Sequence, residues 1–247
     1  MMQFDEFWDY SQPEETRQRF LPLVDSHHAV ADTDYKAQLL TQIARTHSLQ
    51  GQFAAAHEIL DEVETLLTDE MLVAKTRYLL ERGRTHNSAG EKQQAEALFL
   101  QALETAEAAA AQNPTADYHV IDAIHMLGIV GPPEKQIEWS LKGVARAEQT
   151  ADPKARHWLG ALYNNLGWSY HDSGAYEDAL ATFKKGVAFR QTQKEVAPLR
   201  IAKWCVGRAL RSLARYQEAY QIQVGLLDEH SQSGSRSGYV FEEIAEC

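Results

Sequence analysis

The chain has 247 residues, of which 44% are hydrophobic, and it carries a formal net charge of −11 at pH 7. This acidic balance argues against nonspecific nucleic-acid binding as the main task, because neutralising phosphates requires a basic surface. The two cysteines do not make a disulfide framework, and no apolar run approaches the ~18 residues that a membrane-spanning helix needs. We therefore expect a cytoplasmic protein with no membrane contact and no nucleic-acid partner.

The first 32 residues predict a helical cap that precedes the rest of the fold. Residues 13–29 have helical character, with Pro13 in the first turn and with Phe20, Leu21 and Val24 as the apolar side chains. Pro22 is expected to kink or shorten this helix, because proline removes a backbone hydrogen bond.

From residue 33 onward, pairs of helices are predicted in series, and the clearest pair lies near residues 163–186. Large apolar side chains precede a turn at Gly174-Ala175-Tyr176, and Ala179 and Phe183 follow it. Small residues such as Gly167 allow two helices to approach closely while the large side chains fill the seam. Related turns recur at 51–53, 90–92 and 214–216, and a shortened copy contains Gly131-Pro132-Pro133.

This pattern resembles the tetratricopeptide repeat, in the longer-helix variety of kinesin light chain or bacterial regulatory repeats, because the period is about 40 residues rather than ~34. The resemblance implies an all-α, right-handed α-solenoid of about five helix pairs over residues 33–230, as a single domain. A flexible Ser- and Gly-rich loop is predicted at 231–238. The first helix of an incomplete terminal repeat is predicted at 239–247.

The resemblance also implies a binding function on the concave face, which the first helix of each pair lines. Residues on the stripe opposite the core are the candidate partner-binding residues: Arg45, Arg84, Asn164, Asn165, Trp168, Trp204 and Arg208. Guanidinium and amide groups suit a protein or peptide partner that is acidic or bears a carboxylate. The alternative is that these side chains only solvate an exposed helix face.

We therefore predict a non-catalytic scaffold for a protein or peptide. A regulatory receptor for a small acidic ligand or signalling peptide is the alternative. No His-x-x-x-His or Cys-x-x-Cys pair, nucleophile elbow or phosphate loop is present, so no metal, cofactor or catalytic residue is predicted. Cys205 is interpreted as a small buried hydrophobe rather than a reactive thiol.

The carboxyl end predicts self-association. The helix over 239–247 presents Tyr239, Val240, Phe241 and Ile244, and docking on the preceding pair covers only one side of it. Because exposed apolar patches usually mark interfaces, we expect this helix to pair either with another copy, as a homodimer, or with the rest of a longer chain.

Overall fold

The computed structural model describes residues 3–247, which form α-helices and short 3₁₀ helices and contain no β-strand. None of these helices is long and apolar enough to cross a membrane. The chain divides into two compact units, one ending at Gly131 and the other beginning at Pro132. The prediction of a single domain over 33–230 and the predicted segment boundaries around it stay predictions.

The amino-terminal unit begins with a 3₁₀ helix at Gln3–Phe7 and ends with a helix that packs against the pair before it. Its α-helices are α1 (Pro13–Val24), α2 (His27–Ala31), α3 (Thr33–Leu49), α4 (Phe53–Leu66), α5 (Leu72–Ser88), α6 (Lys92–Gln112) and α7 (Asp117–Val130). Helices α3 and α4 pack as one pair and α5 and α6 as the next, with α1 against α3 and α7 against α6. Leu39, Leu60, Phe99 and Ile121 are fully buried in this core.

The carboxy-terminal unit also consists of helices that pack as successive pairs. Its α-helices are α8 (Pro133–Gln149), α9 (Pro153–Arg156), α10 (Leu159–Asp172), α11 (Tyr176–Gln193), α12 (Val196–Ser212), α13 (Tyr216–Gln232) and α14 (Gly238–Glu246). Helices α10 and α11 form one pair and α12 and α13 the next, while α8 packs against α10. The last helix, α14, packs against α13 and α12. The unit is therefore a stack of helix pairs that continues into α14.

The turns within the pairs use a left-handed backbone residue. Gly51, Gly90 and Gly174 have φ angles of 73°, 87° and 81°, and each stands two residues before the second helix of its pair. Glycine suits this conformation because it lacks the Cβ that makes positive φ costly for other residues. In the α12–α13 turn the same place is held by Ala214, whose φ is 57°.

The amino-terminal cap differs in detail from the expected helix over 13–29. Helix α1 passes through Pro22 and ends at Val24, and α2 begins separately at His27. Ser26 caps α2 by accepting a hydrogen bond from the backbone N–H of Ala29 at 3.2 Å. The break therefore falls after the proline, at a serine N-cap, which is a preferred helix start.

Candidate functional site

The carboxy-terminal unit brings five of the predicted residues onto neighbouring first helices. Asn164, Asn165 and Trp168 lie on α10, and Trp204 and Arg208 lie on α12. On each helix the exposed stripe follows the same helical spacing, in which residues four and three positions apart share a face.

An aromatic ladder crosses this face from α10 to α14. We use the term for Trp168, Trp204 and Tyr239, whose ring centroids are 6.0 Å apart from Trp168 to Trp204 and again 6.0 Å apart from Trp204 to Tyr239. The indole Nε1 of Trp204 donates a hydrogen bond to the backbone oxygen of Tyr239 at 3.1 Å. Trp168 also meets Phe183 edge-on, with the centroids 5.5 Å apart, so the ladder rests directly on the core.

The tryptophan rings are half-buried, whereas Tyr239 is 71% exposed. Rings held in this way present an apolar surface with tilted planes, and packing against their neighbours fixes its geometry. Aromatic side chains with few rotatable bonds lose little entropy when a partner covers them. The ladder is therefore a partly exposed aromatic surface that is held in place by its own packing.

Beside the ladder, arginines on α12 hold a buried carboxylate of α14. Arg208 Nη1 donates to Glu243 Oε1 at 2.8 Å, and Arg211 Nε donates to Glu243 Oε2 at 2.9 Å. Burial raises the pKa of Glu243, which is only 2% exposed, and the hydrogen bond from Arg211 acts in the opposite direction. The side chain of Arg208 remains 32% exposed and accessible at the edge of the face.

The asparagine pair lies one turn before Trp168 and is partly buried. Asn164 Nδ2 is 3.5 Å from Asn165 Oδ1, and Cys205 Sγ is 3.6 Å from Asn164 Oδ1. Burial raises the pKa of the Cys205 thiol to about 12, and this side chain is 1% exposed. A protonated, enclosed thiol is a poor nucleophile, as expected for a cysteine that packs as a small hydrophobe.

The remaining two predicted residues belong to the amino-terminal unit, where they join a charged cluster of Arg45, Glu81, Arg84 and Asp122. Arg84 is 9% exposed, and its guanidinium pairs with Glu81 at 2.6 Å and also with Asp122. Burial acts to lower the pKa of Arg84, but the negative charges of Asp122 and Glu81 outweigh it and the pKa is raised. Arg45 lies 3.6 Å from Glu81 through its Nε, and burial lowers its pKa.

Arg84 is thus buried, whereas its position on the stripe predicted an exposed residue of the concave face. The spacing of residues along one helix does not show that α7 supplies Asp122 as a partner. The pairing with Asp122 and the burial by neighbouring helices remove Arg84 from solvent. Arg45, with 22% of its side chain exposed, keeps limited access. Their role in binding a partner stays a prediction.

The candidate residues chosen from the sequence omit one ring of the ladder and one arginine of the amino-terminal unit. Tyr239 was assigned only to a dimer surface, although its ring extends the two tryptophans. Arg77 on α5 was not selected, and its guanidinium forms a bidentate ion pair with Asp5 at 2.9 and 2.6 Å. The acidic and aromatic character of the first ten residues was the signal available for that contact. Among residues 3–247, no group of three or more His, Cys, Asp or Glu side chains is arranged to hold a metal ion.

One stretch of the carboxy-terminal unit matches a family model. Residues 159–192, which span α10 and nearly all of α11, match the tetratricopeptide repeat. These residues are a tetratricopeptide repeat. A search of curated proteins found no relative that matches the chain.

Solved structures resemble the chain in fold. BtubC from P. vanneervenii superposes with a TM-score of 0.70 at 13% identity, covering 96% of this chain and 94% of that one. A putative kinesin light chain from P. anserina with nearly identical repeats gives 0.63 at 18% identity, over 82% and 98%. The apo form of RapI gives 0.66 at 13% identity, over 98% and 68%. The fold class is therefore the all-α solenoid of tetratricopeptide-like helix pairs, as predicted.

Proposed function

We propose that this tetratricopeptide-repeat chain is a non-catalytic scaffold that binds a protein or peptide through the aromatic ladder of its carboxy-terminal unit. The single observation that carries this function is the run of Trp168, Trp204 and Tyr239 at a regular 6.0 Å separation across three consecutive first helices. Trp, Tyr and Arg are the side chains that contribute most to binding energy at protein interfaces. The predicted Asn164, Asn165 and Arg208 flank the ladder and supply polar groups beside its rings.

The partner is proposed to carry a carboxylate next to an apolar or aromatic side chain. Arg208 uses one nitrogen on Glu243 and is still 32% exposed, so further donors remain at the edge of the ladder. A guanidinium pairs carboxylates with defined geometry, which would fix the register of a chain lying along the rings. Aromatic contacts then supply the affinity and the arginine supplies the orientation.

A displayed-peptide selection against the whole chain, followed by calorimetry on the selected peptides, tests this function. Trp204→Ala is expected to weaken binding by about 30-fold, which corresponds to ~2 kcal/mol for an interface anchor. Tyr216→Ala is the matched control, because Tyr216 is a 50% exposed aromatic on α13, outside the ladder. An equal loss of affinity in both variants, or no loss of affinity in Trp204→Ala, would show that the ladder is not the binding surface.

The rival function, a regulatory receptor for a small acidic ligand, is tested by the same variants. If the chain is such a receptor, dicarboxylates or short peptides are expected to raise its unfolding temperature in a thermal-shift screen, and Trp204→Ala is expected to abolish that rise. The displayed-peptide selection would then yield no peptides of greater length that bind. We propose a cytoplasmic location for both functions, which the free thiols of Cys205 and Cys247 support.

A second binding event is proposed at the outer side of α14, in the form of a homodimer. Phe241 is 49% exposed and Tyr239 is 71% exposed, whereas Val240 between them is buried. Light scattering is expected to give twice the chain mass at high concentration and a single-chain mass for Phe241→Glu. A single-chain mass for the unchanged protein at high concentration would contradict the dimer.

A further inference from the structure

The amino-terminal segment, residues 3–10, lies across the first helices of its own unit. Its Asp5 carboxylate meets Arg77 on α5 through both oxygens, and the two side chains are 11% and 6% exposed. Three residues later, Trp8 Nε1 donates to Gln42 Oε1 on α3 at 3.0 Å. The segment therefore contacts both α3 and α5, the first helices of the two pairs in this unit.

Aromatic rings hold the segment on either side of the carboxylate. Phe4 is 1% exposed, and its ring meets Tyr35 edge-on at 5.2 Å and lies 5.6 Å from the Arg77 guanidinium carbon. Trp8 stacks on Tyr10 with centroids 4.6 Å apart and planes 7° apart. Tyr10 itself is 64% exposed.

We propose that this segment occupies a peptide-binding surface as a built-in ligand, and that the surface takes an acidic peptide with the same order of side chains. That order is an aromatic residue, a carboxylate directly after it, and a tryptophan three residues beyond the carboxylate. The surface is defined by Tyr35, Gln42 and Arg77. It is separate from the aromatic ladder, so the proposal does not depend on the function assigned to that ladder.

The need for a carboxylate follows from the burial of Arg77. Among residues 3–247 no other carboxylate forms an ion pair with this guanidinium. Removing one partner of a buried ion pair is strongly destabilising, because it leaves an uncompensated charge in a medium of low dielectric constant. The segment therefore exchanges only with a ligand that brings a carboxylate of its own. A neutral aromatic peptide does not meet this requirement.

The tether also sets how strongly an outside peptide must bind. A segment joined to its site by a short linker acts at an effective concentration of about millimolar. An outside peptide with the same intrinsic affinity must therefore be present above this concentration to displace the segment. Weakening the internal carboxylate removes that competition and reveals the affinity of the surface.

The probe is a blocked peptide with the sequence of residues 3–10, titrated against the full chain by calorimetry. Asp5→Asn is expected to bind it at least about tenfold more tightly than the unchanged chain, since the internal competitor is weakened. The matched control is Asp9→Asn, because the Asp9 carboxylate accepts its hydrogen bonds from Ser11, two residues further along the chain. This control is expected to bind like the unchanged chain. A probe with asparagine in place of its first aspartate is expected not to bind.

Hydrogen exchange on the unchanged chain gives a second measurement, which does not depend on the stability of any variant. Millimolar probe is expected to accelerate amide exchange in residues 3–12, because it displaces them, while the amides of α3 and α5 keep the protection that they have under the segment. No change in exchange at millimolar probe overturns the proposal. Equal affinity of Asp5→Asn and the unchanged chain overturns it as well, as does equal binding of the asparagine-containing probe.

Discussion

The ring of Phe183 fills the space in which a side chain on Gly167 would begin. An ideal Cβ built on Gly167 would stand 2.5 Å from Cδ1 of that ring, well inside van der Waals contact. The pair of α5 and α6 has the same arrangement at the same sequence separation, with Phe99 against Gly83. A first helix without a side chain at this point lets a phenylalanine from the second helix enter the seam.

Gly167→Ala is therefore expected to destabilise the chain by about 1–3 kcal/mol, as overpacking of a filled core does, and Gly167→Leu by more. Urea unfolding measures the change. Gly225→Ala is the control: nothing lies within 4 Å of a Cβ there, and the residue is exposed in the middle of α13. That control should stabilise by up to ~1 kcal/mol through helix propensity. If both variants unfold alike, the proposed close contact does not limit stability.

This contact was predictable because it is local. Gly167, Ala179 and Phe183 belong to one repeat, and the spacing of small and large residues along two successive helices defines their seam. The turns at Gly51, Gly90 and Gly174 were predictable for the same reason, since positive φ strongly favours glycine. The division of the chain into compact units was not, because it depends on how neighbouring pairs stack.

Ala214→Gly is expected to stabilise the carboxy-terminal unit by about 1 kcal/mol. Ala214 is exposed and adopts φ 57°, so removing its Cβ relieves a left-handed conformation and costs only some chain entropy. The reciprocal change, Gly174→Ala at φ 81°, should destabilise by a similar amount. Thermal unfolding of both variants checks the pair of opposite shifts; shifts of the same sign would contradict the backbone explanation.

Arg84→Ala is expected to lower the free energy of unfolding by about 3–5 kcal/mol, because it leaves Glu81 and Asp122 buried without their shared cation. Arg208→Ala serves as the comparison. Its partner Glu243 keeps Arg211, and Arg208 itself is 32% exposed, so its loss should be much smaller. Denaturant unfolding separates the two cases. A small effect of Arg84→Ala would mean that the cluster is hydrated.

Stability of the amino-terminal unit is expected to fall as the pH drops below about 6.5. Burial, and then the positive charge of Arg77, hold the pKa of His119 well below this value in the folded chain. Below pH 6.5, His119 is therefore protonated in the unfolded chain but not in the folded chain. The free energy of unfolding declines by about 1.4 kcal/mol per pH unit until the pH reaches the pKa of His119 in the folded chain.

His119→Gln removes that dependence and should flatten the pH profile of the unfolding free energy between pH 6.5 and 5. His27→Gln is the control, because His27 is exposed on α2. If the unfolding free energy of His119→Gln depends on pH as steeply as that of the unchanged chain, groups other than His119 cause the acid sensitivity.

The candidate sites were predictable only in part, because they combine residues from several helices. The stripe rule selected Trp168 and Trp204 from the spacing within α10 and α12. It did not select Tyr239, because the place of α14 beside α12 is a tertiary relationship. The burial of Arg84 and the occupation of Arg77 by Asp5 also follow from contacts between distant segments, at separations over which helix periodicity carries no information.

Gln223 stands in the α12–α13 seam at the place that Phe99 and Phe183 hold in earlier pairs. It is 0% exposed, with Nε2 only 3.5 Å from the Trp204 backbone oxygen and with Oε1 unpaired among the described residues. A buried amide that is half-satisfied holds two helices less firmly than a phenylalanine does. The support beneath the ladder is therefore uneven: Trp168 packs on the apolar ring of Phe183, whereas the seam below Trp204 contains a buried amide with one oxygen that is unpaired within residues 3–247.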